Sequence, residues 1–174
     1  NAVDYLASDH PLYAGRPNTY GMRWANGVIQ QADLVITLGA RMGLQQTGFA
    51  WQEFVPVGNI VRIELDDHEI QLNQPKTKLD INMDAATGLT ALLEVVKDGK
   101  LTSEYSTWRS FIGELRKELP VVEKATFQYP GFTNPFEFVD QLGGLLNSDD
   151  RVVACSSGGA YTTMMQVFAQ KQGQ

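Results

Sequence analysis

The chain has 174 residues, of which 43% are apolar and 10% aromatic, enough for one globular domain or for one domain and part of another. A formal net charge of −6, with no cluster of Lys or Arg, speaks against nucleic acid or an anionic membrane as the partner. A single cysteine excludes an internal disulfide framework, and no apolar run approaches a membrane span or a signal peptide, so the cytosol is the predicted location.

The first half of the chain alternates between helical and strand patterns. A helix is predicted over residues 20–31, a buried strand over residues 33–41, and further strands over residues 59–66 and 79–84. Short helical segments are expected at residues 49–54 and 67–72, and a longer helix at residues 85–97. This alternation predicts an α/β fold, a three-layer Rossmann-like parallel sheet that is incomplete.

The second half opens a new α/β unit. A helix over residues 103–119 leads to Pro120 and an irregular stretch, after which Asn134 and Pro135 are typical of a helix cap and first helical position. A buried strand over residues 151–155 and a helix over residues 161–169 are expected to follow. We therefore divide the chain into residues 1–97, part of a first domain; 98–130, a linker helix and connection; and 131–174, the first β/α elements of a second domain.

A run of small residues separates the last predicted strand from the last predicted helix. Residues 156–160 read Ser-Ser-Gly-Gly-Ala, which lets a phosphate approach free backbone N–H groups at a helix start. The alternative is a tight β–α turn in which glycine supplies a positive φ angle. This run alone does not decide between the two.

Polar groups follow the predicted strands of the first domain. Arg41 comes just after a strand, where a guanidinium can pair with a phosphate, although a surface arginine is an equal alternative. Glu64 and Asp66 alternate along the next strand, where a carboxylate can accept a ribose hydroxyl or simply be solvated. His10, His68 and Cys155 have no spacing typical of a metal site or a nucleophile–base pair.

Together these features resemble a known family. The segments that carry the resemblance, in chain order, are residues 10–15 (His-Pro-Leu-Tyr-Ala-Gly), 20–22, 24–26, 32–36, 38–41 (Leu-Gly-Ala-Arg), 47–48, 63–66 (Ile-Glu-Leu-Asp), 69–70 and Asp84. In this order they are similar to the central domain of thiamine-diphosphate-dependent enzymes, the acetolactate synthase-like group being nearest. The resemblance covers roughly residues 10–95.

The resemblance implies a cofactor site in the second domain. Residues 156–159 stand where the family has an Asp-Val-Gly-Gln-like turn beside the cofactor diphosphate. The acid and the glutamine of that turn are absent, so the contact would rest on Gly158, Gly159 and Ala160. The family's magnesium-binding Gly-Asp-Gly motif and its cofactor-activating glutamate are expected outside this segment, so we predict an inactive fragment of a larger enzyme.

The resemblance also implies the chemistry of the whole enzyme. Thiamine diphosphate with Mg²⁺ would decarboxylate a 2-oxo acid such as pyruvate and transfer the product to a second carbonyl, in a homo-oligomer. FAD is a second cofactor of some members, and the positions that match its contacts are Gly21, Met22, Gly39, Arg41, Glu64, Asp66 and Asp84. Two departures weaken this transfer, because Gly43 stands for an aspartate and Arg23 with Trp24 replaces a small His-Gly pair.

A different class of function stays open from the sequence. The chain is also consistent with a stand-alone nucleotide-binding or regulatory module that folds as an incomplete half-sheet. A three-stranded parallel sheet with an exposed edge is marginal by itself, so this alternative predicts a dimer or a partner that covers the edge.

Overall fold

The computed structural model describes residues 5–97, 105–123, 130–154 and 158–174. The chain forms two compact units, one from Asn1–Asn26 with Arg109–Gln174 and the other from Gly27–Trp108. The helices are α1 (Arg23–Gln31), α2 (Leu44–Thr47), α3 (Asp67–Leu72), α4 (Ala85–Lys97), α5 (Ser106–Glu118), α6 (Pro135–Leu145) and α7 (Gly158–Val167). The strands are β1 (Leu34–Leu38), β2 (Asn59–Glu64) and β3 (Leu79–Asn82), and a short 3₁₀ helix spans Trp51–Glu53.

The Gly27–Trp108 unit contains a parallel sheet in the order β1-β2-β3. In the register of the sheet, Leu38 lies beside Ile63, and Ile63 lies beside Ile81. On one face Ile60 packs with Phe54 and Val55, and on the other Ile63 packs against α4. The predicted α/β fold with a parallel sheet is therefore confirmed.

The prediction that β1 is a buried strand is wrong. Leu34, Ile36 and Leu38 are 52%, 43% and 37% exposed, on the same face of the sheet as Ile63. Because β1 is an edge strand of this sheet and α4 crosses the face through Gly88 and Ile63, the outer apolar side chains of β1 stay uncovered. The apolar run of β1 is typical of an interior strand, but the described residues place a neighbour on one side only.

Close packing of α4 on β2 depends on one glycine. A Cβ atom on Gly88 would lie 2.8 Å from the Ile63 Cγ2 methyl, whereas a Cβ atom on Gly113 in α5 would meet nothing within 4 Å. We expect Gly88→Ala to lower the free energy of unfolding by about 1–3 kcal/mol through overpacking. Gly113→Ala, the matched control, should raise it by about 1 kcal/mol because alanine is the better helix former. Urea denaturation checks both, and a stabilised Gly88→Ala variant would contradict the packing.

The other unit is helical and has its own core. Val139 of α6 and Val167 of α7 are buried together with Phe168. Asn134 caps α6 by accepting a hydrogen bond from the Phe136 N–H at 2.9 Å, with Pro135 at the first helical position, as predicted. The carboxyl end of α6 is held by Lys171, whose Nζ donates to the Gly143 carbonyl at 2.7 Å and to the Leu146 carbonyl.

The predicted strand at residues 151–155 is not found where the structure describes it. Residues 151–154 form no ladder, and Val153 is 89% exposed; Cys155 and the two serines after it lie outside the described residues. A parallel strand needs a neighbour to satisfy its backbone groups, and no strand of the described residues lies beside this segment. The helix that follows begins at Gly158, three residues before the predicted start at Tyr161.

Candidate functional site

The carboxyl ends of the three parallel strands carry five of the residues predicted to bind a cofactor. Gly39 follows β1 in a left-handed conformation with φ 57°, and its N–H donates to the Ile63 carbonyl of β2 at 2.9 Å. A Cβ atom on Gly39 would lie 3.1 Å from the Cβ of Ala85, so the start of α4 approaches the end of β1 closely. Position 39 therefore favours glycine for two reasons, its left-handed backbone angle and the close approach of Ala85.

The acids at this edge already hold backbone N–H groups. Glu64 accepts from the N–H groups of Leu65 and Asp66 through a single oxygen, Oε1, at 2.8 and 3.1 Å. Asp66 caps α3 by accepting from the His68 N–H at 2.9 Å, again through one carboxylate oxygen. Each carboxylate thus has a fixed orientation and keeps a second oxygen that can accept from a ligand hydroxyl.

Asp84 plays the same role at the third strand. Its Oδ1 accepts from the N–H groups of Ala86 and Thr87 at 2.9 and 3.2 Å, which caps the start of α4. The short connection from β3 places the Asp84 carboxylate at the same edge of the sheet as Glu64. In this connection the Met83 N–H donates to the Glu64 backbone carbonyl at 3.1 Å.

Arg41 is paired within the protein. Its Nε donates to the Glu69 carboxylate at 2.6 Å, and its side chain is 81% exposed whereas that of Glu69 is 14% exposed. The α3 helix that carries Glu69 is held from below by the buried Arg62, whose Nη1 donates to the Glu69 carbonyl at 2.9 Å and whose Nε pairs with Asp80 at 2.7 Å. The position of Arg41 is therefore determined by a carboxylate that the core keeps in place.

The balance of charge decides which ligand groups suit this edge. Acidic side chains outnumber Arg41, which is paired with Glu69 through its Nε. A phosphate would meet repulsion from carboxylates, whereas a hydroxyl would meet oriented acceptors. Among the residues that the structure describes, this edge therefore favours a hydroxyl-rich group such as a ribose.

Gly21 and Met22 lie in the other unit and line a cavity of about 240 Å³. Its walls are formed by Gly21, Met22, Arg23, Val121, Val122, Glu123, Asn134, Phe136 and Gln166. Apolar side chains dominate, and the polar groups are the Gln166 amide, the Asn134 amide and the Arg23–Glu123 ion pair. An apolar cavity with a few oriented polar groups is typical of a site for a small organic group.

A buried arginine ties the loop before this cavity to α7. Arg16 donates from Nε to the Met165 carbonyl at 2.8 Å and from Nη2 to the Phe168 carbonyl at 2.6 Å. Burial lowers the pKa of Arg16 from its ordinary value, and the nearby Tyr13 acts in the opposite direction. The guanidinium stays charged and satisfies carbonyl groups that the end of the helix leaves without a partner. Arg16 thereby connects the loop that precedes Met22 with α7, the helix that carries Gln166 on the other side of the cavity.

The third predicted group, Gly158 to Ala160, forms the first turn of α7. A Cβ atom on Gly158 or Gly159 would meet nothing within 4 Å, and Gly158 has φ 70°. Backbone N–H groups in the first turn of a helix have no partner within the helix, so this turn presents donors in open space. The residues present fit a diphosphate through backbone contacts, although the two serines before them lie outside the described residues.

The structure thus sorts the predicted residues into separate groups. Gly39, Arg41, Glu64, Asp66 and Asp84 share one sheet edge; Gly21 and Met22 line the cavity; and Gly158, Gly159 and Ala160 open α7. Sequence reasoning missed Arg16 and the wall formed by Val121 and Val122, because nothing in the local pattern indicates their partners. Gly21 and Met22 are the predicted residues that line this cavity, whereas Arg23 entered only as a departure from the family pattern.

Two absences apply to the described part of the chain. It contains no group of three or more His, Cys, Asp or Glu side chains able to hold a metal ion. It also contains no helix long and apolar enough to cross a membrane.

A parallel sheet with oriented polar groups at its carboxyl edge is typical of Rossmann-like α/β domains, which bind ligands at that edge. The family model described as "Thiamine pyrophosphate enzyme, central domain" matches residues 1–92, and the chain belongs to this family. The resemblance inferred from the sequence is thereby confirmed.

Acetolactate synthases are among the similar proteins. The acetolactate synthase isozyme 1 large subunit of Escherichia coli (strain K12) is 28% identical over 120 residues, covering 68% of this chain and 20% of its own length. Acetolactate synthase 1, chloroplastic, of Oryza sativa subsp. japonica is 29% identical over 168 residues, covering 95% and 25%. The probable acetolactate synthase large subunit of Methanocaldococcus jannaschii is 30% identical over 143 residues, covering 82% and 23%. The chain therefore spans a fifth to a quarter of the length of these relatives.

Proposed function

We propose that this chain is part of a thiamine-diphosphate-dependent enzyme that decarboxylates a 2-oxo acid such as pyruvate and joins the product to a second carbonyl, as acetolactate synthases do. The observation that carries the proposal is the family match over residues 1–92 together with acetolactate synthase relatives that align with as much as 95% of the chain. We also propose the domain boundaries at residues 97 and 130, which rest on the order of predicted helices and strands and on the family resemblance.

In this proposal the first turn of α7 contacts the cofactor diphosphate. The backbone N–H groups of Gly158, Gly159 and Ala160 would donate to phosphate oxygens, since among the described residues no atom lies within 4 Å of the Cβ positions of the two glycines. When bound, thiamine diphosphate supplies the electron sink that lets carbon dioxide leave a 2-oxo acid. Mg²⁺ would accompany the diphosphate and take its protein ligands from outside this segment.

FAD is the second cofactor that we propose, with its ribose at the acidic sheet edge. The free oxygens of Glu64, Asp66 and Asp84 would accept from hydroxyl groups, and Gly39 would let the ligand approach the backbone. Arg41 pairs with Glu69 through Nε alone, so its two Nη groups could still donate to the pyrophosphate of FAD. Gly21 and Met22 remain proposed FAD contacts on the family resemblance alone. A homo-oligomeric, cytosolic enzyme remains part of the proposal.

The coding sequence on both sides of this segment and an assay of the complete reading frame test the proposal. We expect the complete protein to form acetolactate from pyruvate with thiamine diphosphate and Mg²⁺, and the isolated 174-residue chain to release no carbon dioxide. Turnover by the isolated chain would contradict the prediction of an inactive fragment. A complete reading frame that neither binds thiamine diphosphate nor consumes a 2-oxo acid would overturn the function.

A further inference from the structure

One wall of the cavity at Gly21 and Met22 is a segment without regular secondary structure that a single arginine side chain contacts at both ends. This wall is the 120–123 segment, with the sequence Pro-Val-Val-Glu, which follows α5. Its two middle residues, Val121 and Val122, line the cavity and pack on the buried cluster of α6 and α7. No regular secondary structure holds this segment in place.

One side chain contacts both ends of the segment. The Nη2 group of Arg23 donates to the Pro120 carbonyl at 2.9 Å, and it also donates to the Glu123 carboxylate. The two valines of the wall lie between these anchor points. A guanidinium nitrogen with two N–H bonds suits this bridging arrangement, since each hydrogen has its own acceptor.

We infer that Arg23 is a positioning residue that holds the 120–123 segment closed over the cavity and so controls access to it. The opposite wall, α7 with Gln166, is fixed by the buried Arg16 and has no such release point.

The exposure of the pair makes the closure sensitive to salt. The side chains of Arg23 and Glu123 are 57% and 41% exposed, so mobile ions screen their attraction, whereas buried contacts such as those of Arg16 are screened much less. Raising the salt concentration should therefore loosen the 120–123 segment and leave α7 in place. The inference draws on the proposed function only for the identity of what enters the cavity.

A thiol in the wall measures this opening without any ligand. In the full chain carrying Cys155→Ser, Val122→Cys is labelled with a maleimide at about 0.05 M and about 0.5 M NaCl, which changes the Debye length several-fold. We expect labelling to be faster at high salt. Arg23→Met should speed labelling about two- to fivefold at low salt and abolish its salt dependence. Arg109→Met, which removes an exposed arginine of α5, should label as the parent does.

Two results would overturn the inference. One is an unchanged labelling rate in Arg23→Met, and the other is a salt response that persists without Arg23. Should Arg23→Met fail to fold by circular dichroism, Glu123→Gln replaces it, since this change keeps an acceptor oxygen and removes the charge. The Glu123→Gln variant must then be labelled at the same rate at low and high salt for the inference to stand. Because no cofactor takes part, failure here is separate from failure of the proposed enzyme function.

Discussion

Replacing Arg16 with methionine should lower the free energy of unfolding by about 3 kcal/mol, because the carbonyl groups of Met165 and Phe168 then lose their charged donor inside the protein. Methionine keeps most of the apolar stem, so the loss reports on hydrogen bonds more than on packing. The expected fall in melting temperature is about 6 to 12 °C for a chain of this size.

Arg151 offers a matched control for this prediction. It also donates to two carbonyl groups, those of Ser148 at 3.2 Å and Asp149 at 3.3 Å, but in an exposed turn where water replaces the lost donor. Arg151→Met should change stability by less than about 0.5 kcal/mol. Urea denaturation measures the free energy of unfolding of both variants. Equal decreases would show that the burial of Arg16 does not increase its contribution to stability.

Gly21→Ala should be the most damaging single change in the cavity. A Cβ atom at this position would lie 2.2 Å from the Arg16 carbonyl oxygen and 2.5 Å from the Asn18 nitrogen, and both are backbone atoms that cannot rotate away. The loop must therefore move, at a cost of at least about 2 kcal/mol, and Met22 must move with it. Denaturation followed by the fluorescence of the nearby buried Trp24 measures the loss.

The control for Gly21→Ala is Gly144→Ala. Gly144 lies in α6 with open space around its Cβ position, so alanine should stabilise the helix by about 1 kcal/mol. An alanine at position 21 that leaves both stability and the thiol labelling of the cavity wall unchanged would refute the tight turn around Gly21.

Local signals in the sequence predicted most of the regular structure. Asn134 and Pro135 located the start of α6, because a capping side chain and a proline each have a local preference that needs no tertiary context. The strand patterns before Gly39 and before Asp66 located β1 and β2 in the same way. The short α2 helix at Leu44–Thr47 was missed, since its four residues carry no capping side chain.

For the candidate site, the sequence predicted which residues lie at the sheet edge but not the contacts that they make. The strand-end residues Gly39, Glu64 and Asp84 were found because parallel strands bring their carboxyl ends to one edge whatever the rest of the fold does. The sequence alone did not show that Glu64 and Asp84 also accept from backbone N–H groups or that Arg41 is paired with Glu69. These contacts decide that the edge suits hydroxyl groups better than phosphate.

The amino-acid sequence by itself determined the family, the parallel α/β order and the residues at the strand ends, because these depend on local pattern and on chain order. Only the tertiary structure decided that Arg16 caps α7, that Arg23 anchors the cavity wall and that β1 stays exposed on one face. Arg16 and its two acceptors are separated by 149 and 152 residues. Contacts over such separations arise from the packing of whole elements, and no local preference of the residues encodes them.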